Sequence, residues 1–118
     1  MTWDVEFQDD FDAEFDALPA AVQTELLARA KVLEQFGPML GRPSVDTLNG
    51  SAFRNMKELR FNVGTEVWRV AFAFDPRRKA ILLCAGDKQG KDQRRFYDTL
   101  LATSDRRFKA HLDRLKKL

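Results

Sequence analysis

The sequence predicts one α+β domain spanning residues 1–118, with elements in the order β-α-α-β-β-β-α. Three observations predict it. A chain of 118 residues that is 44% hydrophobic and 32% charged has the length and composition of a single globular unit. Three apolar runs separated by short turn signals crowd residues 53–85, as in an antiparallel meander. On both sides of that block the apolar residues recur at helical spacing.

The first strand comes from residues 3–7, where Trp3, Val5 and Phe7 alternate with Asp4 and Glu6. Asp9 or Asp10 can cap a helix that carries Phe11, Phe15 and Leu18 on one face. Pro19 suits the first turn of a second helix with an apolar stripe of Val22, Leu26, Leu27, Ala30 and Leu33, ended by Gly37-Pro38. Pro38–Ser51 contains Gly41, Pro43, Asn49 and Gly50 with little periodicity and reads as a long loop. The meander strands are Phe53–Phe61, Val67–Phe74 and Lys79–Ala85, joined by turns at Asn62–Thr65 and Asp75–Arg78. After a loop over Gly86–Asp92, the residues Phe96, Leu100, Leu101, Phe108, Leu112 and Leu115 mark a last helix, with an interruption expected near Ser104-Asp105. The two early helices are expected on one face of the sheet. The other face is left open or partly covered by the last helix.

Composition removes several classes of function. One cysteine, Cys84, and one histidine, His111, leave no material for a disulfide framework or a Cys/His metal centre, and no cofactor is expected. Cys84 reads as a small buried apolar residue and His111 as surface or packing. No run approaches the roughly 18 apolar residues of a membrane span, and Met1-Thr-Trp-Asp-Val-Glu lacks the basic and apolar regions of a secretory leader. A cytoplasmic protein is expected.

The net charge of +2 hides a division. Residues 1–50 hold three basic and ten acidic side chains, 3 − 10 = −7, and residues 51–118 hold 17 basic and 8 acidic, 17 − 8 = +9. That asymmetry points the second half toward a polyanion.

Strand alternation then gathers a candidate site. If Trp68, Val70, Phe72 and Phe74 face the core, Arg69 points the other way from among Ala71 and Ala73. With Leu59 and Phe61 in the core, Met56, Glu58 and Arg60 join Arg69 on that second surface. Lys88, Lys91 and Tyr97 follow nearby. Guanidinium forks and ammonium groups suit phosphate, and RNA brings its own nucleophile, the 2′-hydroxyl. Glu58 could then serve as base, Arg60 and Arg69 as charge stabilisers, and Tyr97 or Lys88 as proton donor, with no metal required. Lys57, Lys88, Lys91, Arg94 and Arg95 are the expected RNA-binding cations. The competing reading of Glu58 and Arg60 is a solvated strand face with cross-strand ion pairs, and Arg106-Arg107 through Lys116-Lys117 reads most simply as a solvated helix face.

Several phrases carry a family likeness: Asn55-Met-Lys-Glu-Leu-Arg60, Val67-Trp-Arg-Val-Ala-Phe72 and Leu82-Leu-Cys-Ala-Gly-Asp-Lys88, with Leu18-Pro19, Phe36-Gly-Pro38 and Gly41-Arg-Pro43 upstream. In this order they resemble the RelE/ParE superfamily of bacterial toxin–antitoxin toxins, particularly its HigB-like, phage-associated branch. The resemblance implies a microbial-RNase-like (RelE-like) fold and ribosome-dependent cleavage of mRNA. It also implies neutralisation by a cognate antitoxin, a helix-turn-helix protein encoded next door, whose complex binds operator DNA. Arg69 falls where relatives carry a phosphate-binding arginine. Where relatives of this branch often present a histidine near the end of the last strand, this chain reads Cys84-Ala-Gly-Asp-Lys-Gln-Gly-Lys91, which offers no histidine there. Because the superfamily also holds ParE-like members that poison DNA gyrase, a non-enzymatic toxin or a phage or plasmid accessory binding module is the alternative.

Overall fold

A computed structural model describes residues 2–117. Its elements are β1 (Asp4–Phe7), α1 (Asp9–Asp16), α2 (Ala20–Phe36), a 3-10 turn (Gly37–Met39), β2 (Val45–Thr47), β3 (Met56–Val63), β4 (Glu66–Phe74), β5 (Lys79–Asp87) and α3 (Gln93–Leu115). They form one five-stranded sheet in the order β1-β5-β4-β3-β2. The meander β3-β4-β5 is antiparallel as expected, and β1 joins its outer edge parallel to β5. A parallel pair needs a long crossover, and α1 lies within the connection that leads from β1 back to the sheet.

The stretch 38–51, expected as loop, contributes β2. Its three residues pair antiparallel with Leu59, Glu58 and Lys57, and Val45 is buried. So short a strand leaves no alternation long enough to detect in sequence. β3 begins at Met56 rather than Phe53 and continues to Val63, which shortens the β3–β4 turn to Gly64-Thr65. α1 is capped by Gln8 instead of an aspartate, its side chain accepting from the N–H groups of Asp10 and Phe11. Pro19 sits just before α2. Within α2, Val22, Leu26, Ala30 and Leu33 are buried, and Leu27 is 45% exposed because it lies off that stripe. Gly37 ends α2 at a φ of 55°, and the Trp3 indole packs directly over it where a Cβ would stand.

α3 runs unbroken through Ser104-Asp105. Ser104 is buried, and its hydroxyl donates to the Leu101 carbonyl, which satisfies it inside the helix. This helix covers the second sheet face. The first core, against α1 and α2, holds Phe11, Leu26, Leu33, Leu59, Phe61, Val70, Phe72 and Leu82. The second, under α3, holds Met56, Ala71, Ala73, Ile81, Leu83, Cys84, Leu100 and Phe108. Consecutive residues Leu83 and Cys84 both face α3 because β5 bulges there: Ala71 pairs with Cys84 and Phe72 with Leu82, which leaves Leu83 outside the register. The Arg107 guanidinium donates to the Leu83 carbonyl at 2.8 Å.

Candidate active site

β3 and β4 pair with Arg60 opposite Arg69 and Glu58 opposite Ala71. Glu58 and Arg69 are therefore diagonal neighbours on the α3 face, as alternation requires. On the far side of Arg69 stands Gly86 of β5. A Cβ at Gly86 would lie 2.8 Å from the Phe96 ring, so the absence of a side chain there lets the first turns of α3 close on the sheet. Asp92 starts that helix, its carboxylate accepting from the Arg95 N–H at 2.9 Å. Tyr97, in the next turn, is thereby held over the strands.

The Tyr97 hydroxyl donates to Glu58 Oε1 at 2.8 Å. Arg69 Nε lies 3.4 Å from the same oxygen, and Arg69 Nη1 donates to the Trp68 carbonyl at 2.9 Å. The Glu58 and Arg69 side chains are each 7% exposed, and Arg69 Nε has no hydrogen-bond partner. Such a pair is not a solvated surface ion pair. Burial, and then the hydrogen bond and charge of Glu58, push the Tyr97 phenol above its ordinary value, with Arg69 opposing. Tyr97 is a neutral donor at physiological pH.

Lys88 follows β5, and its N–H donates to the Val67 carbonyl. Its ammonium lies 5.4 Å from the centre of the Tyr97 ring. Burial, followed by the charges of Arg69 and Arg60, lowers its pKa below the ordinary lysine value, with Glu58 acting in the other direction. Arg60 is about one-third exposed, with Asp46 of β2 3.9 Å away at the sheet edge. Glu58, Arg60, Arg69, Lys88 and Tyr97 are thus brought together. Tyr97, Arg60 and Lys88 reach the surface, and Glu58 and Arg69 lie beneath them.

The other expected cations separate. Lys57 has the opposite parity on β3 and donates to the Thr47 hydroxyl on β2. Arg94 is exposed one turn before Tyr97. Lys91 lies 5.9 Å from the centre of the Phe96 ring, and with Arg95 it lines a cavity on the opposite flank of α3.

Two buried polar features were not legible as such. Arg107, expected in solvent, is 8% exposed and forks onto Glu14 of α1. Its spacing of seven from Leu100 was the available signal. Asp75 is buried, accepts from the N–H groups of Arg77 and Lys79, and meets His111 Nε2 at 2.9 Å. His111 also stacks on Phe108, which makes it the packing residue the sequence suggested. Cys84 is buried as expected, and burial pushes its thiol up to about 12. It is an inert S–H group.

Residues 13–109 match the family described as "Phage derived protein Gp49-like (DUF891)". Over 93 residues the chain is 47% identical to "Putative toxin HigB3" of Mycobacterium tuberculosis, an alignment that covers 79% of each protein. Over 88 residues it is 47% identical to "Putative toxin HigB2" of the same organism, covering 74% of this chain and 43% of that longer protein. Among solved structures it is similar to a mutant of the E. coli toxin RelE in the free state. That match has a TM-score of 0.58 at 12% identity and covers 86% of this chain and 96% of the other. At such identity the likeness concerns the fold alone. The extent of the family match and the sequence identity over four-fifths of a relative settle the kinship: this chain belongs to the Gp49-like family, in the HigB/RelE group of toxins.

Proposed function

We propose that this toxin is an endoribonuclease that cuts mRNA on the ribosome by 2′-hydroxyl transesterification. The observation that carries the proposal is the Tyr97 hydroxyl donating to a buried Glu58 carboxylate beside Arg69. A carboxylate so deeply covered acts best through the phenol above it. As the substrate 2′-hydroxyl gives its proton to Tyr97 Oη, Tyr97 passes its own proton to Glu58, and the 2′-oxygen attacks the neighbouring phosphorus. The bond from phosphorus to the 5′-oxygen breaks, and that oxygen takes a proton from the Lys88 ammonium. The products are a 2′,3′-cyclic phosphate and a 5′-hydroxyl. Arg60 and Lys88 meet the phosphorane oxygens at the surface, and Arg69 holds positive potential beneath them.

Because it has no 2′-hydroxyl, DNA is not cut this way. Lys88 and Arg94 are proposed to hold flanking phosphates, whereas Lys57, turned to the other sheet face, would serve only RNA that passes around the sheet edge. Tyr97, Arg60 and Lys88 would meet the RNA at the molecular surface, so a second surface is needed to fix the strand, which suits a message threaded through the ribosome. That reading places the protein in the cytoplasm. Its antitoxin, the partner that the toxin family implies, is proposed to be a helix-turn-helix protein from the adjacent gene that also binds operator DNA.

The test is primer extension and end-group analysis on programmed ribosomes. Wild-type protein should leave cyclic phosphate ends, and Tyr97→Phe should lower the cleavage rate by about 10²–10⁴-fold while keeping the fold. Arg69→Ala should abolish cleavage. Intact mRNA in the presence of wild-type protein, or undiminished cleavage by folded Tyr97→Phe, overturns the proposal.

A further inference from the structure

On the flank of α3 away from Tyr97, a cavity of about 630 Å³ opens between that helix, the end of β5 and Glu14 of α1. Its floor is apolar, formed by Ala85, Phe96 and Leu100. Lys91 and Arg95 stand at one end and Arg106 at the other, and all three are exposed. Arg106 follows Arg95 by eleven helical steps, which is about 16 Å along the axis. Among the described residues none of these three cations has a carboxylate partner, whereas Arg107, lining the same cavity, is held by Glu14. No residue of this lining touches the reacting groups proposed above; Gly86, Asp92 and Phe96 act there only by holding the start of α3 and with it Tyr97.

We propose that this groove receives an acidic amphipathic helix of the protein partner that neutralises the toxin. Apolar side chains of such a helix would fill the floor, and carboxylates about three turns apart would meet Lys91 and Arg95 at one end and Arg106 at the other. Charge complementarity selects the occupant. A nucleic-acid strand would bring phosphates past Asp92 and Glu14, which also line the cavity, and would leave the hydrocarbon floor poorly matched. A helix with separated carboxylates avoids both penalties. The inference takes its partner from the toxin–antitoxin reading but requires no RNA cleavage. Bound there, the partner would leave Glu58 and Tyr97 uncovered and would neutralise by bulk or by restraining α3.

The experiment compares wild-type protein with Thr99→Glu/Arg106→Glu, which places one carboxylate in the groove and reverses one end of it. Binding of the purified antitoxin from the neighbouring reading frame is read by calorimetry. The dissociation constant should rise by about tenfold or more, and free variant and wild type should cut RNA equally. Unchanged antitoxin affinity overturns the proposal. Weaker cleavage with unchanged antitoxin binding makes the groove an RNA path, and self-association of wild type that the variant loses makes a second copy the occupant. Either result also overturns it. Because heat of binding is measured without RNA, a wild type that binds antitoxin but cuts nothing sinks the nuclease reading alone.

Discussion

On the α1–α2 side of the sheet, Leu59, Phe61, Val70, Phe72 and Leu82 meet Phe11, Leu26 and Leu33 in a dry apolar layer. On the α3 side the same strands present the small residues Ala71, Ala73 and Gly86 around Glu58 and Arg69. The buried polar and charged residues Glu58, Arg69, Asp75, Ser104 and Arg107 all belong to α3 or to groups packed beneath it. The difference teaches how a small domain divides its duties. One face is apolar throughout, whereas the other adds to its own smaller core charges held out of water, an arrangement that costs free energy and marks candidate functional sites. Small residues on the polar face do more than avoid clashes. They bring α3 close enough for Tyr97 to reach Glu58.

The comparison breaks most visibly under paired substitutions. Phe72→Ala should cost about 3–5 kcal/mol in urea denaturation, since it empties a fully buried site in the dry layer. Glu58→Ala should cost a similar ~3–5 kcal/mol by leaving Arg69 buried without its counter-ion. The double variant Glu58→Leu/Arg69→Met should recover that loss, because apolar replacements for a buried ion pair are often neutral or stabilising by ~1–4 kcal/mol. It should also cut no RNA. If the double variant stays as unstable as Glu58→Ala, the polar face holds the fold together in its own right, and the division of duties fails.

A smaller effect should come from Gly86→Ala. The new methyl would press on the Phe96 ring at 2.8 Å, where overpacking costs about 1–3 kcal/mol. Tyr97 follows Phe96 directly in the helix, so cleavage should fall further than the loss of stability explains. Adding Phe96→Leu should relieve the pressure and restore part of the activity. Full activity in Gly86→Ala with a lowered melting temperature would show that Tyr97 is placed independently of that contact.

The dry face was largely legible in the sequence. Its strands alternate cleanly, and Val22, Leu26 and Leu33 repeat at helical spacing. The polar face was legible only as far as parity reaches: Glu58, Arg60 and Arg69 share it because the side-chain period of a strand is two. Parity does not report depth, so nothing local showed that Glu58 and Arg69 are buried and that Arg60 is not. It also failed at β5, where the bulge turns Leu83 and Cys84 the same way. Arg107 was hidden for a related reason. Its burial depends on Glu14, which is 93 residues away in the chain, and on a bulge carbonyl that no pattern announces. The placement of β1 beside β5, and hence of α1 near that cavity, is likewise a long-range outcome.

The smallest expected effect concerns Lys88, where the two faces differ in what pH can do. The dry core has nothing to titrate, whereas the Lys88 ammonium sits below its ordinary value of 10.5 because of burial and the charges of Arg69 and Arg60. A folded-state pKa below the unfolded one means that, between the two, the unfolded chain binds more protons. Stability contributed by this group therefore rises with pH through that window and is lost as pH falls back through the folded value. Activity should run the other way. As the proposed general acid, Lys88 must be protonated, so cleavage should decline as pH climbs through the depressed value, earlier than an ordinary lysine would impose. Arg60→Gln removes one of the charges that depress it and should move that decline to higher pH. Lys88→Arg should flatten the decline while lowering the rate, because a guanidinium keeps its proton. Rate profiles of cleavage across neutral to alkaline pH decide the matter: an alkaline limb identical in wild type and Lys88→Arg would remove Lys88 from the proton transfer and leave it as a phosphate-binding charge.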